Sequence, residues 1–291
     1  VIPPENVGLL VDTERNYISS KLATLDIPQT EATYEQVCYP LEAGVLKIKD
    51  GVADGGGASG RIYDYKVDET GAGVILPFTI EAGDNNDCSD MEYAVCTEFT
   101  LTWAAKQALM VSSKWSGRQR TVGQSFASLT LPTVEEILSP TITITDGGTA
   151  IGTTVFNGTL IGYELVYTTG IQPLFTATGQ LYFDTIKYTK PTCTLRLTYE
   201  HDGNASTEYG KFIAKTTRLV RILHEGSATT AGGTYTKKTF MVDFSGRYTS
   251  FPPYADQDGD NIITVELQAG YNVAADLFAR FLLVNILAEV A

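Results

Sequence analysis

Residues 99–115 read "FTLTWAAKQALMVSSKW", and their opening alternates Phe99, Leu101 and Trp103 with Thr100 and Thr102. A two-residue period sends successive side chains to opposite faces of an extended strand, one buried and one solvated. The period returns at Leu195, Leu197 and Tyr199 in "CTLRLTY". Around these runs, Gly, Asp and Pro punctuate other short candidates: "GVLKIK", "GRIYDYKV", "VILPFTIE" and "PTITIT" in the first half, "TLIGYELVY", "RLVRIL", "KKTFMVDF" and "NIITVEL" in the second. With 27 glycines and 16 tyrosines as well, the chain reads as mainly β, a sandwich or barrel.

Helical signal is sparse. "NASTEYGKFIAKT" predicts one helix near 205–215, capped by Asn204 or Ser206, with Glu208 in its first turn and Tyr209, Phe212 and Ile213 along one face. "TVEEIL" after Pro132 has the pattern of one or two helical turns, and "YNVAADLFARFLL" fits either a helix or a buried strand. Residues 1–40, opening "VIPPENVGLL", read as an extended arm because proline fixes φ and removes a donor. Beyond it, a weak similarity between "FTLTWAAKQALMVSSKW" and "YELVYTTGIQPLFTATG" suggests two β-domains, 41–150 and 151–291, meeting near "TDGGTAIG".

Thirty-four acidic against twenty-one basic residues give a net charge of −13. Long-range attraction to nucleic-acid phosphates or anionic lipid is therefore disfavoured. No apolar run is long enough to span a bilayer, the C-terminal "FLLVNILAEVA" being broken by Asn285 and Glu289. The expectation is a soluble chain without a signal peptide or membrane partner. Cys38, Cys88, Cys96 and Cys193 follow no metal or secreted-domain spacing and read as reduced, with a bridge between Cys88 and Cys96 across a local turn as the alternative.

Motifs for chemistry are weak. In "YADQDGDNIITVEL" the aspartates Asp256, Asp258 and Asp260 suggest a calcium loop, but counting from Asp256 puts Asn261 where an EF-hand needs glycine and Leu267 where it needs a bidentate acid. An acidic turn leading into a strand is the favoured reading. "GGGASG", residues 55–60, satisfies GxGxxG yet runs into the strand-like "RIYDYKV", so Gly55, Gly56 and Gly57 belong to a loop between strands and not to a dinucleotide turn. "GQSFA" lacks the strand that would seat Ser125 as a nucleophile, and His201 and His224 read as surface or satisfied histidines. Two histidines leave no material for zinc. The acid pairs Asp84 with Asp87 and Glu135 with Glu136 are expected by chance in so acidic a chain. "NGT" at Asn157 and "NAS" at Asn204 match a glycosylation acceptor with no other secretory feature beside them. No enzyme and no cofactor are expected.

The order of four pieces, "KWSGRQRTVGQSFASLTLP", "NGTLIGYELVYTTGIQPLFTATG", "EHDGNASTEYGKFIAKTTRLVRILHEG" and "YADQDGDNIITVELQAGYNVAADLFARFLLVN", resembles the major tail tube protein of long-tailed bacteriophages over roughly residues 98–291. The resemblance implies a tail-tube-type β-sandwich or barrel with a flanking helix, in one or two tandem domains. It implies a virion protein, made in the bacterial cytoplasm, that self-assembles into stacked rings forming the conduit for genome delivery. Two similar domains would build a ring from three subunits and one domain from six, with the internal similarity leaning toward three. Tape measure and terminator proteins would be further partners, and viral DNA would cross the lumen without specific binding. Candidate inter-subunit contacts are Trp115, Arg118 and Arg120 with Gly55, Gly56 and Gly57, since arginine pairs bidentately with carboxylates. The alternative is a calcium-dependent carbohydrate-binding or adhesive β-sandwich, with Trp103, Trp115 and exposed tyrosines as a sugar platform and Asp256, Asp258 and Asp260 on the metal.

Overall fold

In the computed structural model the described residues are 17–55, 59–70, 73–84, 86–124, 133–148, 150–153, 156, 160–230, 233–257 and 259–290. In chain order the elements are β1 (Ala23–Glu31), α1 (Cys38–Gly44), β2 (Val52–Ala53), β3 (Arg61–Lys66), β4 (Phe78–Gly83), β5 (Cys88–Ala104), β6 (Met110–Gly117), β7 (Arg120–Gln124) and β8 (Pro140–Asp146). They continue with β9 (Leu160–Thr168), β10 (Ile171–Leu174), β11 (Thr185–Tyr188), β12 (Thr192–Glu200), α2 (Gly203–Ile213), β13 (Arg218–Ala228), β14 (Lys237–Ser250), β15 (Ala255–Gln257), β16 (Asp260–Ala269) and β17 (Ala279–Asn285). The chain is mainly β, as the alternation predicts.

Six antiparallel strands in the order β1-β6-β5-β9-β12-β16 make one layer, and β2-β3-β17-β14-β13-β8 make the other. β14 carries the join: residues 239–244 pair with β17, while residues 246–250 pair with β16. Gly246 stands at that switch, where a Cβ would meet Gln268 O and Phe244 Cε1 at 2.5 Å each. The layers face each other through aromatic rings. Phe281 of β17 lies edge-on to Phe99 of β5 at 5.4 Å and to Tyr167 of β9 at 5.7 Å. Phe99, Leu101, Leu165, Leu195, Leu197 and Val265 fill the space between. Fully burying each such side chain is worth roughly 1.5–3 kcal/mol, which explains why the period of two is so regular in these strands.

Strand pairing crosses the division expected at residue 150. β5 pairs with β9, β17 with β3, and β13 with β8. The two halves therefore interleave in shared sheets, and the weak similarity between them reflects two strands of one layer instead of two domains.

The expected arm of residues 1–40 is also revised. Residues 1–16 lie outside the described residues, but Ala23–Glu31 form β1 against β6, and Tyr34, Val37 and Cys38 are fully buried. α1 follows at once, with Pro40 in its first turn, where a missing N–H costs nothing. "TVEEIL" is extended instead of helical: Ile137 N donates to Ala32 O, and Glu136 bridges Thr33. "YNVAADLFARFLL" resolves into a turn and the buried strand β17.

α2 forms where expected, but its cap is Asp202, whose side chain accepts from Asn204 N and Ala205 N, and not Asn204 or Ser206. Its buried side carries Ala205 and Glu208, so Tyr209 and Ile213 are exposed. Of the expected apolar stripe Phe212 alone is half-buried, stacked on Phe251 against the core, while Glu208 finds a cation and a hydroxyl inside. Its carboxylate meets Arg218 at 2.7 Å and accepts from Tyr248 Oη at 2.7 Å.

Candidate assembly surface

The outer face of the six-stranded layer is built from the residues between the buried ones. On β5, Phe99, Leu101 and Trp103 point inward, leaving Glu98, Thr100 and Thr102 outward. β12 turns out Thr194, Arg196, Thr198 and Glu200, and β16 turns out Thr264, Glu266 and Gln268. Register places Arg196 directly opposite both Glu164 and Glu266, and it reaches each carboxylate at 3.0 Å. These bonds raise the Arg196 pKa further, Glu266 contributing most. Lys114 likewise reaches Glu98 at 2.7 Å. Threonine hydroxyls join across strands, as Thr198 with Thr264 at 2.9 Å. Such cross-strand pairs are the unit of sheet stabilisation. Acids predominate on the face: Asp26, Glu98, Glu164, Glu200 and Glu266 stand against Lys114 and Arg196.

The layer ends at β1. Among the described residues no strand pairs with its outer edge, nor with the outer edge of β4. β5 bends at Tyr93, whose φ is 53°, and brings β4 across the inner face of β6, where Phe78 meets the Trp115 ring edge-on at 6.5 Å. Between β1 and β4 a cleft remains, about 600 Å³ beside Ile27, Tyr39 and Trp115 and about 500 Å³ beside Leu25, Asp90 and Arg120, with Ile80 lining both parts.

The contact residues expected from sequence fall differently. Trp115 is buried and donates from Nε1 to Ser113 Oγ, so it belongs to the core and not to an outer contact. Arg118 turns back on its own chain. Its guanidinium lies 4.2 Å from the Tyr93 ring centroid, while Nε donates to Phe183 O at 3.0 Å and one terminal nitrogen to Asp184 O at 2.7 Å. Two of its five donors pin the β10–β11 hairpin. Arg120 is exposed, donates to Ser89 Oγ, and lines the cleft. Gly55, with φ 97°, turns the chain between β2 and β3; Gly56 and Gly57 lie outside the described residues. The segment joins two strands, which rules out a helix N-terminus for a pyrophosphate.

The acidic stretch at 254–267 forms a hairpin in which Asp256 opposes Asn261 and Gln257 opposes Asp260. Directly opposed residues share a face and neighbours alternate, so Asp256 and Asp260 project to opposite sides of the ribbon. Asp256 Oδ1 accepts from Gly259 N, and Asp258 lies outside the described residues. The geometry fits a D-G turn and does not converge the two described aspartates on one ion. The two tryptophans expected in a sugar platform are core residues, because Trp103 is buried like Trp115 and stacks on Tyr163, while Tyr209, Tyr254 and Tyr271 are exposed. Among the described residues no group of three His, Cys, Asp or Glu is placed to hold a metal.

His224 is fully buried, its Nδ1 against Leu138 O and its Nε2 2.8 Å from Tyr163 Oη. A carbonyl can only accept, so Nδ1 carries the proton and Nε2 accepts from tyrosine. Burial drives the His224 pKa down to about 4, against a smaller upward pull from the Leu138 bond. His201 rests against Tyr254, and Ser125 and Asn157 lie outside the described residues. Asp84 spends Oδ1 on the N–H groups of Asn86 and Asp87, whose bonds hold its pKa low. At Glu135 burial pushes the pKa up, but Ser227 and Lys238 outweigh it and the carboxyl sits below its ordinary range. Cys88 and Cys96 lie eight positions apart on β5 and, like Cys38 and Cys193, are free and buried. A strand rises about 3.3 Å per residue, so no local turn brings them together.

Among the described residues no helix is long and apolar enough to cross a membrane. Compared with known protein families and with curated proteins, the chain matches none of them.

Proposed function

We propose that this chain is a structural virion protein, the self-assembling subunit of a bacteriophage tail tube. The observation that carries the reading is the six-stranded layer: one face is buried in an aromatic core, the other is a threonine and paired-charge surface with an acidic excess, and the layer stops at the unpaired edge of β1. An open edge of this kind is a joining surface when a second chain supplies the missing partner. Joined layers closing into a ring would line a conduit with carboxylates and hydroxyls. Such a wall repels phosphate and lets DNA pass without adhering. Stacked rings would then form the tube, with tape measure and terminator proteins as further partners.

Negative-stain electron microscopy of the purified chain at rising concentration tests this. Rings or hollow tubes of uniform diameter, unchanged by a calcium chelator, are expected. Monomers at every concentration would overturn the proposal.

A further inference from the structure

Lys238, near the start of β14, and Asn285, the last residue of β17, are polar side chains at one end of the core. The register of the two strands, Phe240 opposite Leu283 and Thr239 opposite Val284, carries one step further to Lys238 opposite Asn285. Phe240 and Leu283 belong to the core, so by alternation Lys238 and Asn285 take the same face. Asn285 is fully buried, and the Lys238 side chain is 8% exposed. Directly opposed residues on antiparallel strands have Cβ atoms about 4.5–5.5 Å apart, a gap that the flexible four-carbon stem of a lysine covers.

Glu35, its side chain 1% exposed, completes the group. Its Oε1 accepts from Lys238 Nζ at 2.5 Å, and Glu135 Oε2 lies 3.3 Å from the same nitrogen. The Asn285 carboxamide is held at both atoms: Nδ2 donates to Tyr34 O at 2.9 Å, and Oδ1 accepts from Leu287 N at 3.0 Å. Tyr34 and Glu35 are consecutive, so one short segment fixes the amide and places a carboxylate on the amine. A buried lysine ion pair is by itself a weak source of stability, since apolar residues of similar volume often do as well. This one contains the parts of an acyl transfer: an amine, a carboxamide of fixed orientation, a carboxylate on the amine and an N–H on the carbonyl oxygen.

We infer that Lys238 and Asn285 condense to an intramolecular amide, an isopeptide cross-link between β14 and β17, with Glu35 as the proton carrier. Glu35 takes a proton from Nζ, and the freed amine attacks Cγ of Asn285. Negative charge gathers on Oδ1, where Leu287 N already donates. Glu35 then passes its proton to Nδ2 and accepts a second one from Nζ. The Cγ–Nδ2 bond breaks, and the departing ammonia carries that second proton away as ammonium. One Nζ–Cγ bond replaces one Cγ–Nδ2 bond, and no oxidant or cofactor takes part. The reaction needs only the folded chain and does not depend on assembly.

Mass spectrometry of the purified, denatured full chain tests it. The expected mass lies below that of the sequence by one ammonia. A tryptic digest should contain a fragment joining the regions of 238 and 285, uncut after Lys238 because trypsin does not cleave beside an acylated lysine. The full sequence mass would overturn the inference. So would an ammonia loss that fragmentation places elsewhere, such as a succinimide at Asn157–Gly158. Lys238→Met, close to lysine in volume, and Glu35→Gln should each restore the full mass. A linked fragment that persists in Glu35→Gln would overturn the role of Glu35. The mass of the unaltered chain decides for or against the cross-link even where a variant fails to fold.

Discussion

Glu208 of α2 and Arg218, the first residue of β13, meet at 2.7 Å with side chains only 6% and 5% exposed. The pair is closed by Tyr248 on the carboxylate and by Asp146, at the surface, on the guanidinium. It fixes the angle at which the helix leaves the sheet. Glu208→Ala would leave Arg218 buried with half its partners and should cost about 3 kcal/mol, at the low end for a broken buried pair because Asp146 remains. Urea unfolding of the two proteins measures it; a loss under about 1 kcal/mol would mean that Arg218 relaxes to water.

His224 makes stability depend on pH in a defined direction. Its folded pKa, about 4, lies below the ordinary 6.5, so between these values the unfolded chain binds the extra proton. The buried neutral imidazole thus contributes stability that is fully present above pH 6.5 and is lost as pH falls toward 4. The full difference is about 3 kcal/mol. His224→Gln should flatten the slope of unfolding free energy against pH in that window, the carboxylates being common to both proteins. Parallel slopes would place the histidine in contact with solvent.

At the 255–260 hairpin, Gly259 has φ 90° and no atom within 4 Å of a would-be Cβ. Gly259→Ala therefore isolates the backbone term and should lower stability by about 1 kcal/mol. Millimolar calcium should leave the melting temperature of either protein unchanged, since Asp256 and Asp260 face opposite ways. A calcium-dependent rise that Asp256→Asn abolishes would restore the metal loop.

Arg118 ties β10–β11 to the β6–β7 corner through Tyr93, Phe183 and Asp184. Arg118→Ala should loosen that hairpin locally, speeding amide exchange at Ile171–Leu174 and Thr185–Tyr188 while the β5–β9–β12 amides stay protected. Arg118→Lys should recover little, because an ammonium cannot stack flat on Tyr93 and also supply the fork of donors to two carbonyls. Unchanged exchange at β10–β11 would make the contact incidental.

Much of the β framework was legible because burial of one face imposes a period of two that sequence displays directly: Phe99, Leu101, Trp103 and Leu195, Leu197, Tyr199 read as half-buried strands and are so. The hairpin that leads into β16 was legible too, since its turn depends on the local backbone freedom of Gly259. α1 was missed because seven residues carry too little periodicity, and Pro40 reads as a breaker unless its place in the first turn is known. Glu208 was missed because a carboxylate in a helix counts as solvated until a buried Arg218 and Tyr248 are found ten and forty positions away.

The candidate contact residues show the same limit. Trp115 looks like a platform and Arg118 like a free cation only while their surroundings are unknown. Sequence alone determined the strand class, the acidic balance and the turns, because propensity, charge and backbone sterics act on each residue where it stands. The interleaving of the two halves, the bend at β14, the inward turn of Trp115 and the open cleft between β1 and β4 were decided only by tertiary structure. These follow from which distant strands share hydrogen bonds, and a period of two specifies a face without specifying a neighbour.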